Sequence, residues 1–276
     1  MRERERRLIA LTRLVTARPG ADEALSFLAA RLKVAKSTLS EDLAEVKDAL
    51  HDAQLGDVET QVGPGGGVRF HPSLDEKAAR GAVQGWCEAL SDVRRLTGDG
   101  FLYMTDLLFD PRAVDPLGAV LAERLESRDA KFVVTVETKG IPLALSVARE
   151  LNLPVVLLRR DNRLSEGPSL SINYLSGSSH RIQSMSIAQR SPVRGAPVVF
   201  VDDFMKAGGT ARAAADLLSE LGARVVGVGV LVATRKPDPK LMDGILSALT
   251  WDGEGSIAPT AWVAERLGLE MPMTAK

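Results

Sequence analysis

The stretch Val198-Val199-Phe200-Val201-Asp202-Asp203-Phe204-Met205-Lys206-Ala207-Gly208-Gly209-Thr210 constrains this chain more than any other. Residues 197–201 are apolar and β-rich, as in a central parallel strand covered on both faces. Asp202 and Asp203 are expected where that strand ends. Ala207, Gly208, Gly209 and Thr210 carry little side chain, so a ligand can approach the backbone closely. A helix is expected over 211–221, and the free N–H groups at its start form a phosphate site. Donors for a phosphate beside carboxylates for hydroxyl groups suit a sugar phosphate.

The rest of the second half reads as a parallel sheet. Strands are expected over 131–136, 154–158 and 225–232, with a helix over 141–151, and short links join them. Such alternation gives a sheet with helices on both faces, whose ligands sit at the carboxyl ends of the strands. Thr138, Lys139 and Gly140 fall at one of these ends, with Pro142 in the first helical turn behind them. Arg160 follows another strand end. Residues 170–191 form the longest polar irregular segment, expected as a functional loop, in which Ser178, Ser179, His180 and Arg181 can close over an anion; a surface β-hairpin without a ligand is the alternative. Tyr103 is a candidate pocket residue.

Residues 1–74 differ in pattern. Leu8, Leu11, Leu14 and Val15 recur at helical spacing until Pro19-Gly20. Asp22 is expected to cap a second helix that runs to Leu32. A third, from Lys36, aligns Leu39, Leu43, Val46 and Leu50 on one face, while Lys36, Ser37, Thr38 and Ser40 line its first turn. Two β-like runs then flank Gly63-Pro64-Gly65-Gly66-Gly67, with Arg69 just beyond. Three helices and a Gly-tipped hairpin make a winged helix-turn-helix, whose recognition helix enters the major groove by its N-terminal end. Lys36, Ser37, Thr38, Ser40 and Arg69 are therefore the expected DNA contacts; on this segment alone a small helical dimerisation domain is the alternative. Charge favours this only locally: residues 1–40 hold nine Lys or Arg against four Asp or Glu, and residues 41–74 two against seven.

The segment from Asp202 to Thr210 resembles the phosphoribosyl-pyrophosphate (PRPP) loop of type I phosphoribosyltransferases. Thr138-Lys139-Gly140 resembles the pyrophosphate loop of the same family, and residues 170–191 fall where it has a flexible active-site loop. The pairing with a winged helix resembles the bacterial purine operon repressors, most closely in residues 35–43, 138–144, 171–179 and 202–210. The resemblance implies an α/β chain: a small winged helix-turn-helix domain over 1–74, then a type I phosphoribosyltransferase-like domain with a mainly parallel sheet over 75–276. It further implies a homodimer that represses genes of purine synthesis and transport by binding operator DNA. PRPP, as its Mg complex, would be the inducer, and guanosine tetraphosphate and pentaphosphate would compete for its pocket. These are effectors, so no cofactor is expected. PRPP and nucleotide contacts would come from Asp202 through Thr210, from Thr138, Lys139 and Gly140, and from Tyr103, Arg160, Ser178 and Ser179.

The rival reading is an active purine phosphoribosyltransferase carrying an accessory winged helix. In the 6-oxopurine enzymes an Asp three residues after the acidic pair meets the purine; here that position is Lys206. A cation is a poor general acid or base at neutral pH, so no catalytic residue is expected. With 276 residues, one cysteine, three scattered histidines and no N-terminal signal pattern, the chain reads as a cytoplasmic protein without disulfides or a metal site.

Overall fold

Strand β10 (Pro197–Met205) anchors the larger of two compact units. The computed structural model describes residues 2–61, 67–97, 100–126, 129–160, 167–175 and 182–271. One unit holds Met1–Asp75 with the short stretch Arg149–Asn152, and the other holds the remainder from Glu76 onward.

The first unit is built on α1 (Glu3–Val15), β1 (Glu23–Ala24), α2 (Leu25–Leu32), α3 (Lys36–Asp52), β2 (Gly56–Thr60) and β3 (Gly67–Pro72). The strands pair antiparallel in the order β1-β3-β2. Leu39, Leu43, Val46 and Leu50, one face of α3, are buried against Leu11, Val15 and Leu28 of the other helices and Val58, Val68 and Phe70 of the hairpin. This arrangement is the winged helix expected from the spacing. The hairpin tip, residues 62–66, lies outside the described residues.

Asp22 departs from expectation. It does not cap α2, whose N-cap is Ala24. Glu23 and Ala24 instead pair with Val68 and Gly67 as a short strand, so the helix starts later. The Asp22 carboxylate is thereby left beside β3, where it binds Arg69.

The second unit contributes α4 (Glu76–Leu90), β4 (Leu96–Thr97), β5 (Phe101–Leu102), α5 (Thr105–Leu108), α6 (Pro111–Leu125), β6 (Phe132–Val136), α7 (Ile141–Leu151), β7 (Val155–Leu158), β8 (Ser169–Leu175), β9 (Ile182–Ala188) and, after β10, α8 (Gly209–Glu220), β11 (Arg224–Thr234), β12 (Ile245–Trp251), β13 (Ile257–Pro259) and α9 (Ala261–Leu267). Its main sheet runs β13-β12-β11-β10-β6-β7 and is parallel except for β13. Alternate residues of β11 face opposite ways. Val228 and Val230 pack with Ala214, Leu217 and Leu218 of α8. Gly227 and Gly229 present no side chain to Leu125 of α6, which fills the other face.

Residues 170–191 are mostly not a loop. β8 and β9 pair antiparallel from Ser169 with Ala188 to Leu175 with Ile182. Leu170, Ile172 and Tyr174 alternate onto the core, joined by buried Met185 and Ile187. This period-2 pattern is a half-buried hairpin, obscured in the sequence by the serines between. Among the described residues no helix is long and apolar enough to cross a membrane.

Candidate functional site

The main sheet changes direction between β6 and β10. From β6 the chain steps outward to β7, and from β10 the other way to β11 and β12. Such a switch point opens a crevice at the carboxyl ends of the two strands. β10 pairs with β6 as far as Phe200 opposite Val134. On its other edge it continues beside β11, with Phe204 opposite Val232 and Met205 opposite Ala233. Asp202 and Asp203 therefore lie within the strand rather than past its end at 201, because β11 extends far enough to carry it.

Asp202 is buried and Asp203 half-buried. Asp202 Oδ1 accepts a hydrogen bond from the Asp203 N–H at 3.0 Å. Burial, and then repulsion from Asp203, pushes the Asp202 carboxyl well above its ordinary range. Burial raises Asp203 too, while Lys139 and Arg160 pull it back. Arg160 lowers both carboxyls of the pair and Lys139 that of Asp203, and nearby positive charge of this kind favours an anionic ligand. The buried Thr135 Oγ1 has no hydrogen-bond partner among the described residues.

The loop after β6 brings Thr138, Lys139 and Gly140 to the same crevice. Thr138 and Lys139 are exposed and Gly140 is buried. A Cβ on Gly140 would lie 3.0 Å from Asp202 Oδ1, so glycine permits the loop's close approach to β10. Glu137, the acid at the head of this loop, is already engaged. Its carboxylate accepts from the Arg159 guanidinium at 3.0 Å and from the Arg160 N–H at 3.3 Å. Part of its charge is thereby offset before any anion arrives.

Beyond Asp203, the Phe204 ring lies between Phe101 of β5 and Trp251 of β12, with both centroids 6.0 Å away and the rings tilted by 54° and 56°. Neither partner was singled out by sequence reasoning, which gives no sign that β5 and β12 meet at this residue. Tyr103, the aromatic expected there, is half exposed, with the Arg95 guanidinium 5.9 Å above its ring. Met205 turns into the core, leaving only its backbone to the loop. Gly208 adopts the left-handed conformation, φ 87°, and α8 starts at Gly209 with no side-chain cap. The helix begins two residues earlier than the sequence suggested because Gly208 makes the turn itself. Lys206, Ala207, Gly209 and Thr210 are partly exposed around this helix start, where N–H groups and the helix dipole favour a phosphate. Ser178, Ser179, His180 and Arg181 lie outside the described residues.

In the first unit, α3 begins at Lys36 with no side-chain cap, and Lys36, Ser37 and Ser40 are exposed while Thr38 is partly so. The Ser40 hydroxyl donates to the Lys36 carbonyl at 2.9 Å. Arg69 is held by Asp22 through two hydrogen bonds, 3.0 and 2.6 Å long. On the inner side of α3, buried Asp42 accepts from Arg7 and Arg4 of α1. Those guanidinium groups hold its carboxyl below the usual range.

Residues 3–72 match the model of the bacterial purine repressor N-terminal domain, and residues 105–253 that of the phosphoribosyl transferase domain. The fold and site thus define a two-domain protein in which a winged helix accompanies a phosphoribosyltransferase-like domain. The chain is 41% identical to the purine biosynthesis transcriptional repressor PurR of Bacillus subtilis, over 90% of this chain and 87% of that protein. It is 35% identical to the purine biosynthesis transcriptional activator PurR of Lactococcus lactis, over 91% and 92%. A xanthine phosphoribosyltransferase of Chloroflexus aurantiacus is 32% identical over 48% of this chain and 63% of the enzyme. The chain belongs to the PurR family of bacterial purine biosynthesis transcriptional regulators.

Proposed function

We propose that this regulator is a repressor of purine synthesis and transport genes, induced by PRPP. Residues 1–74 bind operator DNA, and residues 75–276 bind the effector and form the homodimer, in the cytoplasm. The acidic pair on β10, packed against the Gly140 loop after β6 and followed by the uncapped start of α8, carries the reading. Asp202 and Asp203 accept hydrogen bonds from the ribose hydroxyls, or would coordinate the Mg²⁺ that accompanies PRPP. The turn from Lys206 to Thr210 takes the 5′-phosphate, and Thr138, Lys139 and Gly140 with Arg160, Ser178 and Ser179 take the pyrophosphate. Guanosine tetraphosphate and pentaphosphate present the same phosphate chemistry and compete with PRPP. The repressor sign follows the B. subtilis relative, more similar here than the L. lactis activator.

The ligand is read without being consumed. Transfer to a purine needs a base held in line with the ribose and a group to manage its charge. Lys206 stands three residues after the acidic pair, where the 6-oxopurine enzymes carry an Asp. A gel shift on the protein's own promoter, with and without PRPP, tests the reading beside a base-exchange assay with hypoxanthine, guanine, xanthine and adenine. PRPP should release the DNA and no nucleotide should form. Steady PRPP-dependent nucleotide formation would favour an enzyme instead.

A further inference from the structure

Behind the turn from Lys206 to Gly208 runs the segment after β11, and one cation ties the two together. The Lys240 ammonium donates to the Lys206 carbonyl at 2.6 Å, the Thr234 carbonyl at 2.7 Å and Thr234 Oγ1 at 3.2 Å. All three of its protons are thereby used. The next carbonyl of the turn, that of Ala207, accepts from the Leu241 N–H at 2.9 Å. Two consecutive carbonyls are thus drawn to the same wall.

In a trans peptide the carbonyl and the following N–H point in opposite directions. Drawing the carbonyls of Lys206 and Ala207 back therefore turns the N–H groups of Ala207 and Gly208 away from the wall. Gly208, in the left-handed region, leads directly into the first turn of α8, which has no side-chain cap, and successive N–H groups turned to one side receive anions. We propose that Lys240 is a positioning residue of the phosphate subsite, aiming the Ala207 and Gly208 N–H groups at the ligand's 5′-phosphate. This inference rests on the phosphoribosyl reading of the site.

Thr234 cannot substitute for the ammonium. Its hydroxyl has one proton and two carbonyls in reach, Lys236 at 2.7 Å and Lys206 at 3.1 Å, and the shorter bond claims it. Lys206 O is left to Lys240. The flat fork of an arginine does not converge on three acceptors around one point. The ammonium also places a fixed positive charge behind the phosphate. It is partly desolvated there, and burial draws its pKa below the ordinary value.

The test is calorimetry on the full chain with ribose 5-phosphate, PRPP and inorganic pyrophosphate. Lys240→Met should weaken ribose 5-phosphate and PRPP by about tenfold or more, the scale of one charge-assisted hydrogen bond. Pyrophosphate, which seats at the loop after β6, should bind the variant as it binds the wild type. Lys240→Gln, which keeps donors but no charge, should fall between. If Lys240→Met binds ribose 5-phosphate like the wild type, or loses pyrophosphate equally, the positioning role is refuted. Should the wild type itself fail to bind ribose 5-phosphate or PRPP, the phosphoribosyl reading fails before Lys240 is tested.

Discussion

Gly140 lies against Asp202 so closely that a methyl group on it would stand 3.0 Å from Asp202 Oδ1 and 2.4 Å from Thr135 Oγ1. The loop after β6 and the acidic strand therefore form one surface. Gly140→Ala should force them apart. Overpacking of this kind costs about 1–3 kcal/mol, so a lower melting temperature and weaker PRPP binding should appear together. A variant that binds PRPP with wild-type affinity would show that the loop takes no part in binding.

Asp202→Asn with Asp203→Asn should abolish the PRPP response and leave DNA binding intact. Each carboxylate is expected to contribute a charge-assisted hydrogen bond worth roughly 1.5–3 kcal/mol, so the pair should cost about 100-fold or more in affinity. DNA release by the double variant at the wild-type PRPP concentration would remove the acidic pair from the effector site.

The two buried acids should respond to pH in opposite senses. The Asp202 carboxyl is raised by burial and by Asp203, so its contribution to stability is full below its unfolded value and is lost as pH rises through its folded value. The ligand-free protein should therefore melt lower as pH climbs above the ordinary carboxylate range, and Asp202→Asn should flatten that slope. Asp42 is held down by Arg7 and Arg4. Its contribution is present above its unfolded value and is lost as pH falls through the folded value. Asp42→Asn should lower the melting temperature of the winged helix at neutral pH and weaken its dependence on acid. Melting curves from acid to neutral pH, free of effector, check both signs.

Lys36 and Arg69 should not behave alike on DNA. Lys36 is exposed at the uncapped start of α3, and Lys36→Ala should weaken binding across all sequences and lower the salt slope by about 1. Arg69 is held by Asp22, so its charge is partly offset already. Arg69→Ala should cost less, and Asp22→Asn, which frees the guanidinium, should tighten binding. Filter binding over a salt series reads all three. Loss of affinity in Asp22→Asn would mean that Arg69 acts from its paired position. Removing residues 1–74 should abolish binding to the promoter.

Much of the sheet was legible because its strands are continuous apolar runs, and α7 was legible to its ends because Gly140 and Asn152 bracket one amphipathic stretch. The acidic pair and the glycine turn announced themselves by residue type. The extent of β10 was hidden, since carboxylates within a strand look like the start of a loop. Asp22 was misread for a similar reason: an acid before a helical pattern suits a cap, and only β3 alongside reveals its partnership with Arg69. The β8–β9 hairpin was legible only as a surface alternative, because serines interrupt its apolar alternation and one of them, Ser186, is buried all the same. Phe101, Trp251 and Lys240 escaped notice because each acts across a distance in sequence that no local pattern spans.

Since β10 holds its carboxylates in the sheet and the carbonyls of Lys206 and Ala207 are fastened to the segment after β11, this part of the crevice is already formed without a ligand. A ligand meeting it need not first freeze a wandering backbone, and little of its interaction energy is spent on order there. The heat-capacity change contributed by this shelf should accordingly be small, in contrast to binding that folds a segment around its guest.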